Sequence, residues 1–224
     1  MTMPHNRPKT LEEINANDWN RTAYVVGGGP SLIDFNWSLL GPDKFVVAIN
    51  QSHTVLPYAQ IVYFTDMHYW RESKQSLIKH KGILVRGTLN PKGEEKNTRI
   101  TYIHLTGPEG LDYEYGKVKH GTNSTYAVVN MLSIHFKFNK IYIMGIDMKW
   151  GADHKSHWHN GYNRKTPQST YNIMMNNFNK MAPELAKINV KVINVINPKE
   201  PSDLKCFPTQ NLTDVFGENA FIKR

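Results

Sequence analysis

The chain has 224 residues, with 27 Lys and Arg against 19 Asp and Glu and a formal charge of +8. That length buries a full core without staples, as one domain or one domain with an elaborated lobe, and the single cysteine, Cys206, excludes an internal disulfide and fits a reducing compartment. No apolar run approaches the roughly 18 residues of a membrane span, and the positive balance favours anionic partners such as nucleotides, nucleic acid or acidic glycans.

The basic groups are short and scattered: Lys79-His80-Lys81, Lys117-Val118-Lys119-His120 and Arg164-Lys165. They read equally well as a solvated surface, and no zinc-finger, basic-zipper or RNA-binding signature accompanies them. Residues 1–21 are polar, carry Pro4 and Pro8 and lack the apolar core of a signal peptide, so they read as an arm with a short helix over 10–14.

A first strand over 22–26 then runs into Gly27-Gly28-Gly29-Pro30-Ser31. Backbone this bare lets a phosphate approach, with free N–H groups aimed at an anion and the dipole of a following helix, expected over 33–40, behind them. No Gly-Lys-Ser/Thr follows, which excludes a Walker A loop, and Leu32 stands where a dinucleotide fingerprint needs its third glycine. A plain glycine turn closing the strand is the alternative.

Downstream, apolar strand candidates at 45–49, 61–64, 83–85, 100–104, 141–144 and 190–195 alternate with helix candidates at 69–79, 125–138 and 169–187. Near-continuous apolar strands alternating with helices predict an α/β fold: a mostly parallel open sheet with helices on both faces. Ligands of such sheets bind beyond the carboxyl ends of the strands. The exits carry short polar side chains: Gly27–Ser31, Asn50-Gln51-Ser52, Thr65-Asp66-Met67-His68 and Gly145-Ile146-Asp147. Asn50 suits a ribose or base edge, or simply a turn. Gly121-Thr122-Asn123-Ser124-Thr125-Tyr126, before an apolar helix, carries a run of four polar residues that exceeds what one N-cap needs and suits a phosphate or base, or capping alone.

Residues 150–168 form a long polar excursion with Asp153, His154, His157, His159 and Tyr162. Their spacing matches no zinc motif, including His-Glu-x-x-His, while a neutral histidine suits deprotonation of an acceptor hydroxyl; a polar lid without chemistry is the other reading. Asp66 does not begin a metal-binding Asp-x-Asp, because His68 holds the second position.

Taken in order, Gly27-Gly28-Gly29-Pro30-Ser31-Leu32, Ala48-Ile49-Asn50-Gln51-Ser52, Phe64-Thr65-Asp66, Ser124-Thr125-Tyr126, Ile141-Tyr142-Ile143-Met144-Gly145-Ile146-Asp147 and the Asn…Ser-x-Leu…Phe-Pro pattern from Asn197 to Pro208 resemble a known superfamily. It contains the bacterial sialyltransferases that modify lipooligosaccharide and the related motility-accessory and hydroxymethylpterin-diphosphokinase-like proteins. The resemblance spans roughly residues 22–208, with 209–224 left as a C-terminal tail. It departs at Asp66, where the sialyltransferases have Asn, and in a shorter lid richer in His and Trp.

This resemblance implies a single Rossmann-like domain of modified GT-A type with a lid at about 150–168. It implies a glycosyltransferase using a CMP- or UDP-sugar, with Gly27, Gly28, Gly29, Pro30, Ser31, Asn50, Gln51, Asp66, Asn123, Ser124, Thr125, Gly145, Asp147 and Tyr162 around the nucleotide donor. A lid histidine, His159 slightly ahead of His157, is the general base, and no metal or cofactor is required. The expected acceptor is an acidic glycan or a hydroxymethylated nucleic-acid base, and the build suits a cytoplasmic phage or bacterial modification enzyme. Two alternatives stand beside it. One is a diphosphokinase using ATP and Mg²⁺, with Asp66, Asp147 and Asp153 as ligands; the other is a non-catalytic nucleotide- or nucleic-acid-binding module.

Overall fold

A computed structural model describes residues 7–93, 97–151, 155–159 and 166–222. Nine strands form one sheet: β1 (Thr22–Val26), β2 (Phe45–Ile49), β3 (Ile61–Phe64), β4 (Ile83–Thr88), β5 (Ile100–Leu105), β6 (Lys117–Val118), β7 (Lys140–Met144), β8 (Lys191–Ile196) and β9 (Thr209–Asn211). Their order is β6-β5-β4-β3-β2-β1-β7-β8-β9, and every neighbouring pair is parallel. The chain winds outward from β1 to β6 and then crosses back to lay β7 on the other side of β1. Between β1 and β7 the winding direction reverses, which in open parallel sheets opens a ligand crevice at the strand ends.

Both faces of the sheet are buried, so side chains alternate between two apolar layers. Val25, Val47, Ile61, Tyr63 and Ile143 face one layer; Val26, Val46, Val62, Phe64 and Met144 face the other. Helices α2 (Ser124–Asn130) and α3 (Gln168–Lys187) supply residues to the first layer, and α1 (Met67–Leu77) and α4 (Leu212–Phe216) to the second. The expected α/β architecture is therefore present.

Two expectations give way to local chemistry. The segment 33–40 is not a helix. Asp34 has φ 62°, and the Asn36 side chain accepts bonds from the N–H and hydroxyl of Ser38, leaving only 3₁₀ turns at Pro30–Leu32 and Trp37–Leu39. Such side-chain bonds compete with the helical ladder, and Phe35 and Trp37 instead pack edge to face at 5.2 Å. The helix over 125–138 is shorter than expected: α2 passes into a π-helical turn at Met131–His135, where the Ser133 hydroxyl bonds back to the Val129 carbonyl at 2.8 Å.

The described segments before β1 and after β8 join the fold. Trp19 is buried edge to face with Phe45, and β9 extends the sheet beside β8. The expected helix over 10–14 is a single 3₁₀ turn, Leu11–Glu13. No helix among the described residues is long and apolar enough to cross a membrane.

Tyr63 on β3 is fully buried, and its hydroxyl has no hydrogen-bond partner; it lies against Gly87, which has no side chain to block it. An unpaired buried hydroxyl costs stability, whereas an apolar isostere does not. Tyr63→Phe is therefore expected to leave the fold unchanged or stabilise it by up to about 1 kcal/mol, read as an unchanged or higher urea midpoint. A loss larger than that amount would mean that the hydroxyl is paired.

Candidate functional site

The β1 and β7 exits are held together by one carboxylate. Asp147 is 4 % exposed; its Oδ2 accepts the Ser31 N–H at 2.8 Å and its Oδ1 the Ser31 hydroxyl at 2.7 Å. Burial pushes its carboxyl up to about 6, and the two Ser31 bonds partly offset that rise. The backbone around it is tied in turn. The Asp203 N–H donates to the Asp147 carbonyl at 2.8 Å, and the Ser202 hydroxyl to the Ile146 carbonyl at 2.8 Å. The Ser-x-Leu pattern is thus a strap, with Leu204 buried as its anchor.

The glycine loop is consequently less open than its sequence suggests. Gly27 N–H bonds the Met144 carbonyl and Gly29 N–H the Gly145 carbonyl, each at 2.8 Å, and Ser31 N–H is on Asp147. Pro30 has no N–H. Of the loop's amides, Gly28 N–H alone has no partner among the described residues. No α-helix follows the loop, so the expected dipole behind the phosphate is missing. The carbonyls are taken too: Ser52 Oγ and Trp158 Nε1 reach Gly27 O at 2.9 and 3.2 Å, and Trp158 N–H reaches Gly28 O at 2.9 Å. Trp158 thereby pins the 155–159 segment onto the loop, its ring 4.9 Å from Trp37.

Above this loop lies a cleft of about 410 Å³. Of the residues singled out from sequence, Gly27, Gly28, Gly29, Asn50, Gln51, Asn123, Ser124, Thr125, Gly145, Asp147, His157 and His159 line it. Pro30 and Ser31 are buried beneath and do not. Asp66 is also absent from the lining: its Oδ1 caps α1 by accepting the His68 N–H at 2.7 Å, and the neighbouring Thr65 lines the cleft instead. Tyr162 and Asp153 lie outside the described residues.

Three non-glycine residues of the lining, Asn50, Thr122 and Met148, have φ values of 49°, 56° and 55°. Such left-handed backbone costs energy and gathers at functional sites. Asn50 Oδ1 is buried without a partner, while its carbonyl bonds His53 Nδ1 at 2.9 Å. Asn123 is a true N-cap, its Oδ1 accepting from the Thr125 and Tyr126 N–H groups at 2.8 and 3.4 Å. Ser124 makes no side-chain hydrogen bond among the described residues.

His157 and His159 sit against Gly28, and their rings are 5.1 Å apart. Burial lowers the His157 imidazole, and burial and then the neighbouring His157 push His159 down to about 4. Both are therefore neutral at pH 7. His157 Nδ1 lies 2.7 Å from Ser156 Oγ.

Thr122, from the polar run before α2, lines the cleft too, and so do residues that sequence reasoning passed over: His120, Lys149 and, from α3, Tyr171 and Met174. His120 reads from sequence as part of a basic surface group and Lys149 carries no signal there; only the crossover from β6 to β7 brings both to one cleft. Of the carboxylates that the diphosphokinase alternative assigns to magnesium, Asp153 lies outside the described residues and the other two are engaged elsewhere. Asp66 caps a helix and both Asp147 oxygens serve Ser31. Among the described residues, no three metal-ligating side chains gather.

No family model and no curated protein matches the sequence. Among solved structures, the chain is similar to the sialyltransferase CstII from Campylobacter jejuni in complex with the substrate analogue cytidine-5'-monophosphate. The two share 15 % identity over 91 % of this chain and 87 % of that one, with a TM-score of 0.47. It is also similar to the sialyltransferase CST-II in complex with trisaccharide acceptor and CMP, at 14 % identity over 91 % and 88 % of the two chains and a TM-score of 0.47.

The Asp147 carboxyl rises from 3.8 in a free chain to about 6 in the fold, so between those values the native state holds more proton than the unfolded one. Its contribution is thus greatest below about pH 4 and is lost as pH climbs to about 6. Asp147→Asn keeps both Ser31 contacts and removes the titration. The stability gap between wild type and this variant should shift by about 2 kcal/mol, in the variant's favour, from pH 4 to pH 6.5 in denaturant titrations. Asp147→Ala strands two buried Ser31 donors and should cost about 2–3 kcal/mol at pH 7.

A methyl group on Gly29 would strike Asp147 and come within 2.7 Å of the Gly145 carbonyl, whereas one on Gly28 meets the movable His157 ring at 2.6 Å. Thermal unfolding should therefore show Gly29→Ala strongly destabilised and Gly28→Ala near wild type.

Proposed function

We propose that the protein transfers a sugar from a nucleotide-activated donor to an acceptor hydroxyl, with a neutral imidazole taking the acceptor proton and no metal required. The observation that carries this reading is the pair of neutral imidazoles against Gly28, in the crevice between β1 and β7 where the winding of the sheet reverses. The motif resemblance of the glycine loop, Asn50 and Gly145-Ile146-Asp147 supports the same chemistry.

His157 is the better base of the two. Its Nδ1 lies 2.7 Å from Ser156 Oγ, a contact that orients the ring, and in the proposed step this imidazole takes the acceptor proton. His159, pushed down to about 4, is a weaker base at neutral pH. In the transfer, the bond between the anomeric carbon and the donor phosphate oxygen breaks, and its electron pair stays on that oxygen. The acceptor oxygen bonds the anomeric carbon and its proton passes to His157. Gly28 N–H and the Ser124 hydroxyl are donors placed to hold the phosphate, and Asn50 Oδ1 accepts from the nucleoside. Lys149 and His120 in the cleft and the charge of +8 favour an anionic acceptor, an acidic glycan or a hydroxymethylated base in nucleic acid.

A thermal-shift screen with CMP, UDP, GDP and ATP conjugates, with and without chelator, tests this. A ligand at 100 times its Kd stabilises by about 2.7 kcal/mol, a readable shift. A response to none of these nucleotides sinks the proposal. With the responding donor, His157→Ala should lose about 100-fold or more in kcat while still binding the nucleotide. Because burial lowers His157, the acid limb of the rate profile should fall below pH 6.5.

A further inference from the structure

We infer that His120 is a second functional histidine of the cleft, a fixed hydrogen-bond donor that gives its Nε2–H to the phosphate of the nucleotide donor. This rests on the nucleotide-donor reading above and adds a role opposite to that of His157.

The argument begins with the turn that carries the ring. His120 N–H bonds the Gly107 carbonyl at 2.8 Å, and its own carbonyl accepts the Asn123 N–H at 2.7 Å. Gly121 and Thr122 between them have φ of 52° and 56°, which turns the Thr122 N–H back onto His120 Nδ1 at 3.0 Å. A backbone N–H can only donate, so Nδ1 is the acceptor nitrogen and carries the lone pair. In a neutral imidazole the proton is then on Nε2.

The backbone therefore decides which chemistry this ring can do. Burial and the neighbouring Lys119 keep it neutral, and its basic nitrogen is occupied, so it cannot take the acceptor's proton. Nε2–H has no hydrogen-bond partner among the described residues, and the residue lines the cleft.

The turn is held rigidly. A side chain on Gly121 would run into the Tyr126 ring, and Tyr126 is buried with its hydroxyl donated to the Gly110 carbonyl at 2.8 Å. A donor that is already oriented needs no reorganisation when charge develops on an oxygen in front of it. In sugar transfer that oxygen is the phosphate oxygen receiving the electron pair of the broken anomeric bond. His120 keeps its proton throughout, and the proton lost by the acceptor goes to His157.

The test uses calorimetric titration of the whole protein with CMP and UDP, and with cytidine and uridine as probes lacking phosphate. His120→Phe keeps a ring without a donor; His120→Gln returns an N–H near the Nε2 position. His120→Phe should weaken the nucleotide that binds wild type by about tenfold or more, as loss of a hydrogen bond to a charged group does. Affinity for the matching nucleoside should stay the same, and His120→Gln should recover most of the loss.

Equal loss of nucleotide and nucleoside, or loss of neither, overturns the inference while leaving the donor reading intact. Failure of wild type to bind CMP or UDP overturns this inference; failure with GDP and ATP conjugates as well overturns the donor reading with it. Long-range ¹⁵N–¹H spectra of wild type, independent of any variant's folding, should show His120 with an unprotonated Nδ1 and an Nε2–H resonance that moves on addition of the nucleotide. An Nδ1–H tautomer, or an unmoved resonance, overturns it.

Discussion

The carboxylate of Asp147 on Ser31 is the contact on which the site depends. It spans the reversal point of the sheet, where the strands on either side were laid down by chain segments wound in opposite directions. A parallel sheet leaves its strand ends as loose loops at such a point. Here two short bonds to Ser31, and the Ser202-Asp203 strap behind, make the β1 and β7 exits one rigid rim. Burying that carboxylate costs desolvation, which its raised pKa records.

Rigidity at the rim reassigns the glycine loop. A run of three glycines invites the picture of a phosphate nest with several free amides. Most of those amides instead bond the β7 exit, and the glycines are needed because the two backbones approach too closely for a Cβ at Gly27 or Gly29, which would meet the Gly145 carbonyl at 2.7 Å. The loop is chiefly a packing surface that leaves one amide, at Gly28, without a partner among the described residues, and Gly28 itself lies against the histidines. The rest of the cleft wall comes from side chains brought from other elements: Asn50, Ser124, Lys149 and the imidazoles.

The imidazoles differ because their second nitrogens differ. Thr122 N–H forces His120 to be a donor at Nε2, while His157 Nδ1 meets the Ser156 hydroxyl, which can either give or accept a proton. One residue type thus meets two different constraints, set by the backbone and side chain behind each ring. The left-handed backbone at Asn50 and Thr122 serves the same end, aiming a side chain or an N–H at the cost of local strain.

Much of this was legible without coordinates. The runs 45–49 and 141–144 are apolar at every position but for Tyr142, so only a doubly covered parallel sheet accommodates them, and such sheets place their sites at the strand exits. Asn50 follows from that rule, and the polar run before α2 from the excess of polar residues over what one N-cap needs. The strands β6 and β9 have too few residues to show a period, and 33–40 has apolar residues at helical spacing while Asn36 diverts its backbone. Asp66 and Asp147 look alike as carboxylates at strand ends; only their hydrogen-bond partners separate a helix cap from a rim clamp. Local sequence determined the elements and the edge of the sheet that bears the site, because periodicity and strand burial are properties of neighbouring residues. Which amides stay free, which nitrogen of each histidine holds its proton, and the arrival of His120 and Lys149 in the cleft were decided by the tertiary structure, because each depends on a partner far away or a turn whose φ the residue names do not reveal.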